Sequence, residues 1–160
     1  MGKKHTETRA TAFLRKAGIE FAEHPYQYID HGGAAESARQ LQIDPHHVVK
    51  TLIMQDEARR PLVVLMHGDR TVSTKKLARD IGCKSVQPCE PADAERHSGY
   101  QVGGTSPFGL RKALRIYVER SVLSLPRIYI NGGRRGMLVS LAPQVLVDRA
   151  HAAAVDCALP

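Results

Sequence analysis

Apolar and polar positions alternate between two periods along this chain, and the switches between them outline the elements. From Thr6 to Ala17, apolar side chains recur at Ala10, Phe13, Leu14 and Ala17, the spacing of one helix face, with Thr6 as cap and Gly18 as terminator. Ile19–Ile29 alternates around Pro25, which predicts a strand at a sheet edge, where a missing N–H is tolerated. Gly32-Gly33 opens a helix over Ala34–Leu41 that stops before Asp44-Pro45. Val48–Met54 and Leu62–Met66 are short apolar runs, read as buried neighbouring strands joined through Gln55–Pro61. Ser73 or Thr74 caps a helix ending at Gly82, a short strand follows near Ser85–Gln87, and Pro91 starts a helix that stops at Ser98-Gly99.

Beyond lie three further strands, Ile116–Val118, Arg127–Ile130 and Met137–Leu141, with turn chemistry at Asn131-Gly132-Gly133 between the last two. Pro143 starts a final helix, and Ala152–Pro160 reads as a loosely tied tail, leaving an ordered core of about residues 6–150. Strands outnumber helices and are scattered among them. The pattern predicts one α+β domain over residues 1–160 with a mostly antiparallel, barrel-like sheet.

Composition narrows the function classes. A chain of 160 residues with 42% hydrophobic content can bury a core, and no apolar run is long enough for a membrane span. Its formal net charge of +7 suggests a polyanionic partner such as nucleic acid. Cys83, Cys89 and Cys157 form no CxxC pair and cannot all pair internally, and no signal peptide is evident, which points to a reducing, cytoplasmic setting. Met1-Gly2 with Thr6 formally fits an N-myristoylation pattern, one short enough to arise often by chance.

The candidate chemistry centres on Gly99–Gly109, which holds four glycines in eleven residues. Gly103-Gly104-Thr105-Ser106 can bring backbone N–H groups close to an electron-rich ligand, or can be no more than a flexible turn. Lys50 lies inside an apolar strand, where a lysine either snorkels out at the edge or faces a cleft and meets an anion or a developing oxyanion. Arg134-Arg135 at a hairpin, together with Arg111 and Lys112 after the glycine loop, are candidate phosphate contacts. His46-His47 are adjacent, and no cysteine or carboxylate stands at zinc-ligand spacing, so no metal is expected. GxSxG, HExxH and P-loop signatures are missing; Ser106 is a conceivable nucleophile without an identifiable base.

Three motifs occur together: Val49-Lys50-Thr51-Leu52, the glycine segment Gly99–Gly109, and Ile128-Tyr129-Ile130-Asn131-Gly132-Gly133-Arg134-Arg135-Gly136. In order and spacing the chain resembles the YbaK/EbsC family, relatives of the prolyl-tRNA synthetase editing domain, and most of all its Cys-tRNA(Pro) deacylase branch. That resemblance covers about Thr6 to Val147 and implies a compact barrel-like mixed sheet flanked by helices, with a pocket between the lysine strand and the glycine loop. It makes Lys50 the functional lysine, Tyr26 a pocket tyrosine, Gly103 and Gly104 the amides facing the substrate carbonyl, and Thr105 and Ser106 substrate contacts. The implied partners are the tRNA acceptor end and prolyl-tRNA synthetase, with no cofactor. The alternatives are an Ala-tRNA(Pro) deacylase using water and a non-catalytic tRNA- or synthetase-binding module. One position departs from the branch as it is known: Ala142-Pro143-Gln144 is followed by Val145 where an acid is common, which shifts the expected amine-binding role to Asp148.

Overall fold

The run Leu62-Val63-Val64-Leu65-Met66 is apolar at every position because its strand is covered on both faces. In the computed structural model, which describes residues 7–160, these five side chains are all fully buried. Val63 and Leu65 face one cluster with Ala10, Leu14, Ile116, Val118, Ile128 and Ile130, while Leu62, Val64 and Met66 face a second with Leu77, Val86 and Cys157.

The elements follow the order α1 (Arg9–Lys16), β1 (Ala22–Pro25), α2 (Gly33–Leu41), β2 (Val48–Asp56), β3 (Pro61–His67), α3 (Thr74–Ile81), β4 (Val86–Pro88), α4 (Pro91–Ser98), β5 (Arg115–Glu119), β6 (Ile128–Asn131), β7 (Met137–Leu141), α5 (Gln144–Asp148) and β8 (Ala153–Val155). One mixed sheet of eight strands runs β1-β7-β6-β2-β3-β5-β8, with β4 also paired to β2. Seven strand pairings build it, four antiparallel and three parallel, so the parallel share exceeds what the pattern suggested. The β3–β5 pair is parallel because α3, α4 and the glycine loop carry the chain back across the sheet, and β8 joins β5 in parallel after β6, β7 and α5 have done the same; period-2 patterning carries no information on strand direction.

Most helix boundaries match the cap chemistry. Ser73 accepts the Lys76 N–H at the start of α3, Gly82 ends it at φ +78°, and Gly99 ends α4 at φ +80°. Thr8 and Thr11 form a capping box on α1; Thr6, the expected cap, and the Met1-Gly2 pattern lie outside the described residues. β1 is an edge strand as expected but ends at Pro25, and Tyr26–Ile29 leaves the sheet as a loop.

The C-terminal tail corrects the sequence reading. Ala153–Val155 pairs with β5, Cys157 is fully buried, and Ser73 donates its N–H to the Cys157 carbonyl at 2.7 Å. Val155 and Cys157 alternate into the second cluster, and Glu119 accepts the N–H groups of Cys157 and Ala158 at 2.8 and 3.0 Å. Two inward side chains and one buried carboxylate hold a segment whose composition looks unremarkable.

Candidate active site

Strand β2 is paired along its length on one edge but only at its ends on the other. β3 covers it from Val49 to Gln55, whereas on the far edge β6 reaches only Val48 and Val49, and β4 only Met54 to Asp56. Lys50, Thr51, Leu52 and Ile53 therefore have no partner strand on that side. A cleft of about 670 Å³ opens along this gap. Its walls are β2, the Tyr26–His31 loop with the start of α2, the Cys89–Glu95 segment, and the glycine loop at Val102, Gly103 and Thr105, with Asn131 and Arg135 beside it.

Lys50 sits in this wall. Its Nζ donates to the Arg70 carbonyl at 2.6 Å, and burial pushes its pKa down, opposed by the charge of Asp69. An ammonium has three donors, so this bond leaves two for a ligand. Tyr26 also lines the cleft, anchored by its N–H on the Gly136 carbonyl at 2.9 Å; burial raises the pKa of its phenol and keeps it a hydrogen-bond donor.

The glycine loop is more differentiated than its composition suggests. Gly103, at φ +90°, lines the cleft, and its carbonyl accepts from Asn131 Nδ2 at 3.1 Å. Gly104 is buried and spends its N–H on the Gln101 carbonyl at 2.7 Å, so it does not supply the second amide expected of it. Thr105 lines the cleft, and among the described residues the N–H groups of Gly103 and Thr105 have no hydrogen-bond partner. Ser106 is fully buried, and its Oγ accepts the Phe108 N–H at 3.0 Å. It braces the loop and lies outside the cleft wall, a second correction.

The basic residues divide as well. Arg135 lines the cleft, donates through Nε to the Val102 carbonyl at 2.8 Å and lies 4.7 Å over the Tyr28 ring. Arg134 is exposed next to it, without a side-chain partner among the described residues. Arg111 and Lys112 are exposed beyond the loop, where Lys112 Nζ lies 3.1 Å from His97 Nδ1. Asp148 is exposed, accepts from Gln144, and does not reach the cleft; the carboxylates that line it are Asp30, Glu36 and Glu95. Glu95 accepts the Val102 N–H at 2.8 Å, and Glu36 holds Arg39 and Gln40. Sequence reasoning passed over Asn131, Tyr28 and Glu95. Asn131 stood inside a quoted motif, but as a turn residue; Glu95 is one acid on an amphipathic helix, and nothing in its spacing marks it.

His46, His67 and Asp69 offer ligand atoms within 4.8 Å of one another. The two rings stack at 3.8 Å and 7°, which keeps their in-plane lone pairs in nearly parallel planes. His67 is bound at both nitrogens, to the His46 carbonyl at 2.7 Å and Ser121 Oγ at 2.8 Å, and His46 Nδ1 is bound to Asp69 at 2.9 Å. The trio partners itself and presents no converging donor set for an ion.

A family model described as the aminoacyl-tRNA editing domain matches residues 31–148, from the loop on one cleft wall to the end of α5. The chain belongs to this editing family. EbsC of Enterococcus faecalis, whose name carries a provisional Cys-tRNA(Pro)/Cys-tRNA(Cys) deacylase assignment, is 30% identical over 151 residues, 92% of each chain. A proline–tRNA ligase of Limosilactobacillus reuteri is 28% identical over 91 residues, which span 54% of this chain and 16% of the ligase. Among solved structures, a hypothetical protein, APE2540, superposes with a TM-score of 0.86 at 25% identity, covering 94% of this chain and 99% of that one. A protein provisionally assigned as a trans-editing enzyme for prolyl tRNA synthetase superposes at 0.81 and 22% identity, over 95% and 96%. The mixed sheet of eight strands with its flanking helices is thus the editing-family fold in this chain. Among the described residues no helix is long and apolar enough to cross a membrane.

Proposed function

We propose that this protein removes cysteine from mischarged tRNA(Pro), acting on the aminoacyl ester at the 3′ end. The observation that carries the reading is one cleft lined by Lys50 together with a loop whose Gly103 and Thr105 amides have no partner among the described residues. Ester cleavage passes through a tetrahedral oxyanion, and oriented N–H donors with a nearby cation stabilise that charge without reorganising.

No protein nucleophile is called for. Among the described cleft residues, Thr105 Oγ1 donates to the Gln101 carbonyl, Ser37 Oγ to the Ala34 carbonyl, and Cys89 Sγ pairs with Gln55. None is hydrogen-bonded to a histidine, and burial raises the Cys89 pKa, which keeps it a thiol. The substrate thiol serves instead. Its sulfur attacks the ester carbonyl, a C–S bond forms, the C–O bond to the ribose breaks, and the thiol proton ends on the departing 3′ oxygen. The products are a thiolactone and free tRNA, with the protein supplying proximity and oxyanion stabilisation. Arg134, Arg111 and Lys112 hold acceptor-stem phosphates, and Tyr26 borders the amino-acid subsite. The likeness to a proline–tRNA ligase supports a link to that synthetase in the translation compartment, and the route needs no cofactor.

Purified protein is tested on Cys-tRNA(Pro), S-methylcysteinyl-tRNA(Pro) and Ala-tRNA(Pro). Methylation blocks the nucleophile while adding one carbon, so the cysteine ester is hydrolysed and the S-methyl ester is spared. Comparable hydrolysis of both overturns thiol attack and moves the assignment to a water-using alanine deacylase; stoichiometric binding without turnover leaves a tRNA-binding module.

A further inference from the structure

The gap in the pairing of β2 has a chemical direction. Gly68 donates its N–H to the Val48 carbonyl at 2.6 Å, and Asp56 donates to the Arg60 carbonyl at 3.1 Å. Both bonds turn the backbone groups of the even-numbered residues of β2 toward β3, and alternation turns those of the odd-numbered residues outward. The Cys89 N–H reaching the Ile53 carbonyl at 3.1 Å on the outer edge fits this register. Val49 meets β6 and Gln55 meets β4, which leaves Thr51 facing the cleft with both its N–H and its C=O unpaired by any strand. The gap is bounded by Asn131 at the end of β6 and Cys89 after β4, and both line the cleft.

We propose that the aminoacyl group of the substrate docks in this gap as a strand one residue long, paired to the backbone of Thr51. The inference rests on the aminoacyl-ester reading given above. An aminoacyl group carries an ammonium donor and a carbonyl acceptor on either side of one Cα, the spacing at which a strand residue exchanges two hydrogen bonds with its antiparallel partner. The Thr51 carbonyl accepts from the α-ammonium, and the Thr51 N–H donates to the ester carbonyl, joining the loop amides around it. Paired residues point their side chains to one face, so the substrate side chain lies on the face of Val49 and Ile53, two buried apolar neighbours that border the cleft. Such a dock reads the α-amino acid backbone without a carboxylate, which meets the missing acid at Val145. The Thr51 hydroxyl is a separate group, shielded from water and without a partner among the described residues.

The test uses the full chain and two 3′-amide analogues of aminoacyl-adenosine, cysteinyl and 3-mercaptopropionyl, which differ only in the α-amino group. In the free protein the Thr51 amide exchanges with solvent fast between the slow amides of Lys50 and Leu52, and the cysteinyl analogue slows it by about tenfold or more. The des-amino analogue binds about tenfold more weakly, and Thr51→Pro binds both about tenfold more weakly than Thr51→Val, which has lost the same hydroxyl but keeps the N–H. A Thr51 amide that is protected without ligand, or unmoved by saturating analogue, overturns the dock. So do equal affinities for the two analogues, or no binding of either at millimolar concentration. Should Thr51→Pro not fold, the exchange measurement and the ligand pair on wild-type protein decide. The binding pattern without turnover of any aminoacyl-tRNA removes the hydrolase reading and keeps the dock; turnover without the pattern does the reverse.

Discussion

Lys50 Nζ donates to the backbone carbonyl of Arg70, 2.6 Å away, across the turn that follows β3. A flexible four-carbon side chain is thereby held at the cleft wall by a main-chain acceptor whose position the β2–β3 pairing fixes. Burial disfavours its charge and Asp69 restores part of it, so the half-buried ammonium is partly desolvated, and its field acts more strongly on a developing oxyanion than it would in bulk water.

Lys50→Ala is therefore expected to lower kcat by about 10²–10³-fold, the range for loss of one oxyanion stabiliser, with KM for charged tRNA little changed. Because burial lowers the pKa, the ammonium is lost as pH rises through a value below that of an ordinary lysine. The alkaline limb of the rate profile begins there, and Lys50→Arg shifts it upward. Single-turnover deacylation across pH for the three proteins checks this; a near-wild-type rate for Lys50→Ala removes Lys50 from the chemistry.

Gly104 and Ser106 shape the loop without facing the cleft. A Cβ on Gly104 would meet the Arg135 nitrogen at 2.8 Å and the Arg134 carbonyl carbon at 2.9 Å, both backbone, so Gly104→Ala displaces the hairpin and the loop together. Activity drops with it, and stability falls by about 1–3 kcal/mol. Ser106→Ala leaves the buried Phe108 N–H without its acceptor and costs about 1–3 kcal/mol, yet kcat per folded molecule stays within about twofold. Thermal melts paired with kcat separate the two variants; a large kcat loss in Ser106→Ala would restore it as a substrate contact.

Period and cap chemistry made α2, α3, α4, β2, β3 and β7 legible almost residue by residue, since each has strong local signals such as Ser73, Gly82 and Pro91. Strand direction was not legible, and neither was the role of the tail, because Val155 and Cys157 are held by partners far off in sequence, Leu62 and Glu119. The cleft residues Lys50, Tyr26, Gly103 and Thr105 were reached by sequence, yet which loop amides stay free depends on one turn hydrogen bond, Gly104 to Gln101. The same holds for Asp148: its place on a short exposed helix, with Gln144 as partner, is a matter of tertiary arrangement that no spacing reveals.

Arg134 and Arg135 are neighbours with different work. Arg134 is exposed and unengaged among the described residues, so Arg134→Ala should raise KM for charged tRNA, lower the slope of log affinity against log salt by about 1, and leave kcat unchanged. Arg135 ties the glycine loop to Tyr28 and the Val102 carbonyl, so Arg135→Ala should lower kcat as well. Steady-state kinetics at several salt concentrations check both, and an unchanged slope in Arg134→Ala means that this arginine does not touch phosphate.

Glu119, 7% exposed, grips the tail through the N–H groups of Cys157 and Ala158. Burial alone would raise its pKa, but the Cys157 N–H, the Ser121 hydroxyl and N–H, and the Ala158 N–H outweigh that and hold it below the usual value. An acid with a depressed folded pKa stabilises the fold above its unfolded pKa and loses that contribution as pH falls through the folded one. Glu119→Gln should thus flatten the acid side of the stability–pH curve and lower stability at neutral pH by about 2–4 kcal/mol, since an amide turns one NH₂ toward donors that need acceptors. Cys157 provides the local readout. Its thiol is pushed up to about 12, first by burial and then by the charge of Glu119, and it is inaccessible while the tail is docked. In Glu119→Gln the tail opens more often, and Cys157 alkylation at pH 8 accelerates by about tenfold or more relative to wild type. Deacylation per folded molecule stays constant, because neither residue borders the cleft. Unchanged Cys157 reactivity in that variant would mean that apolar packing on Leu62 and Leu77 holds the tail without help from the carboxylate.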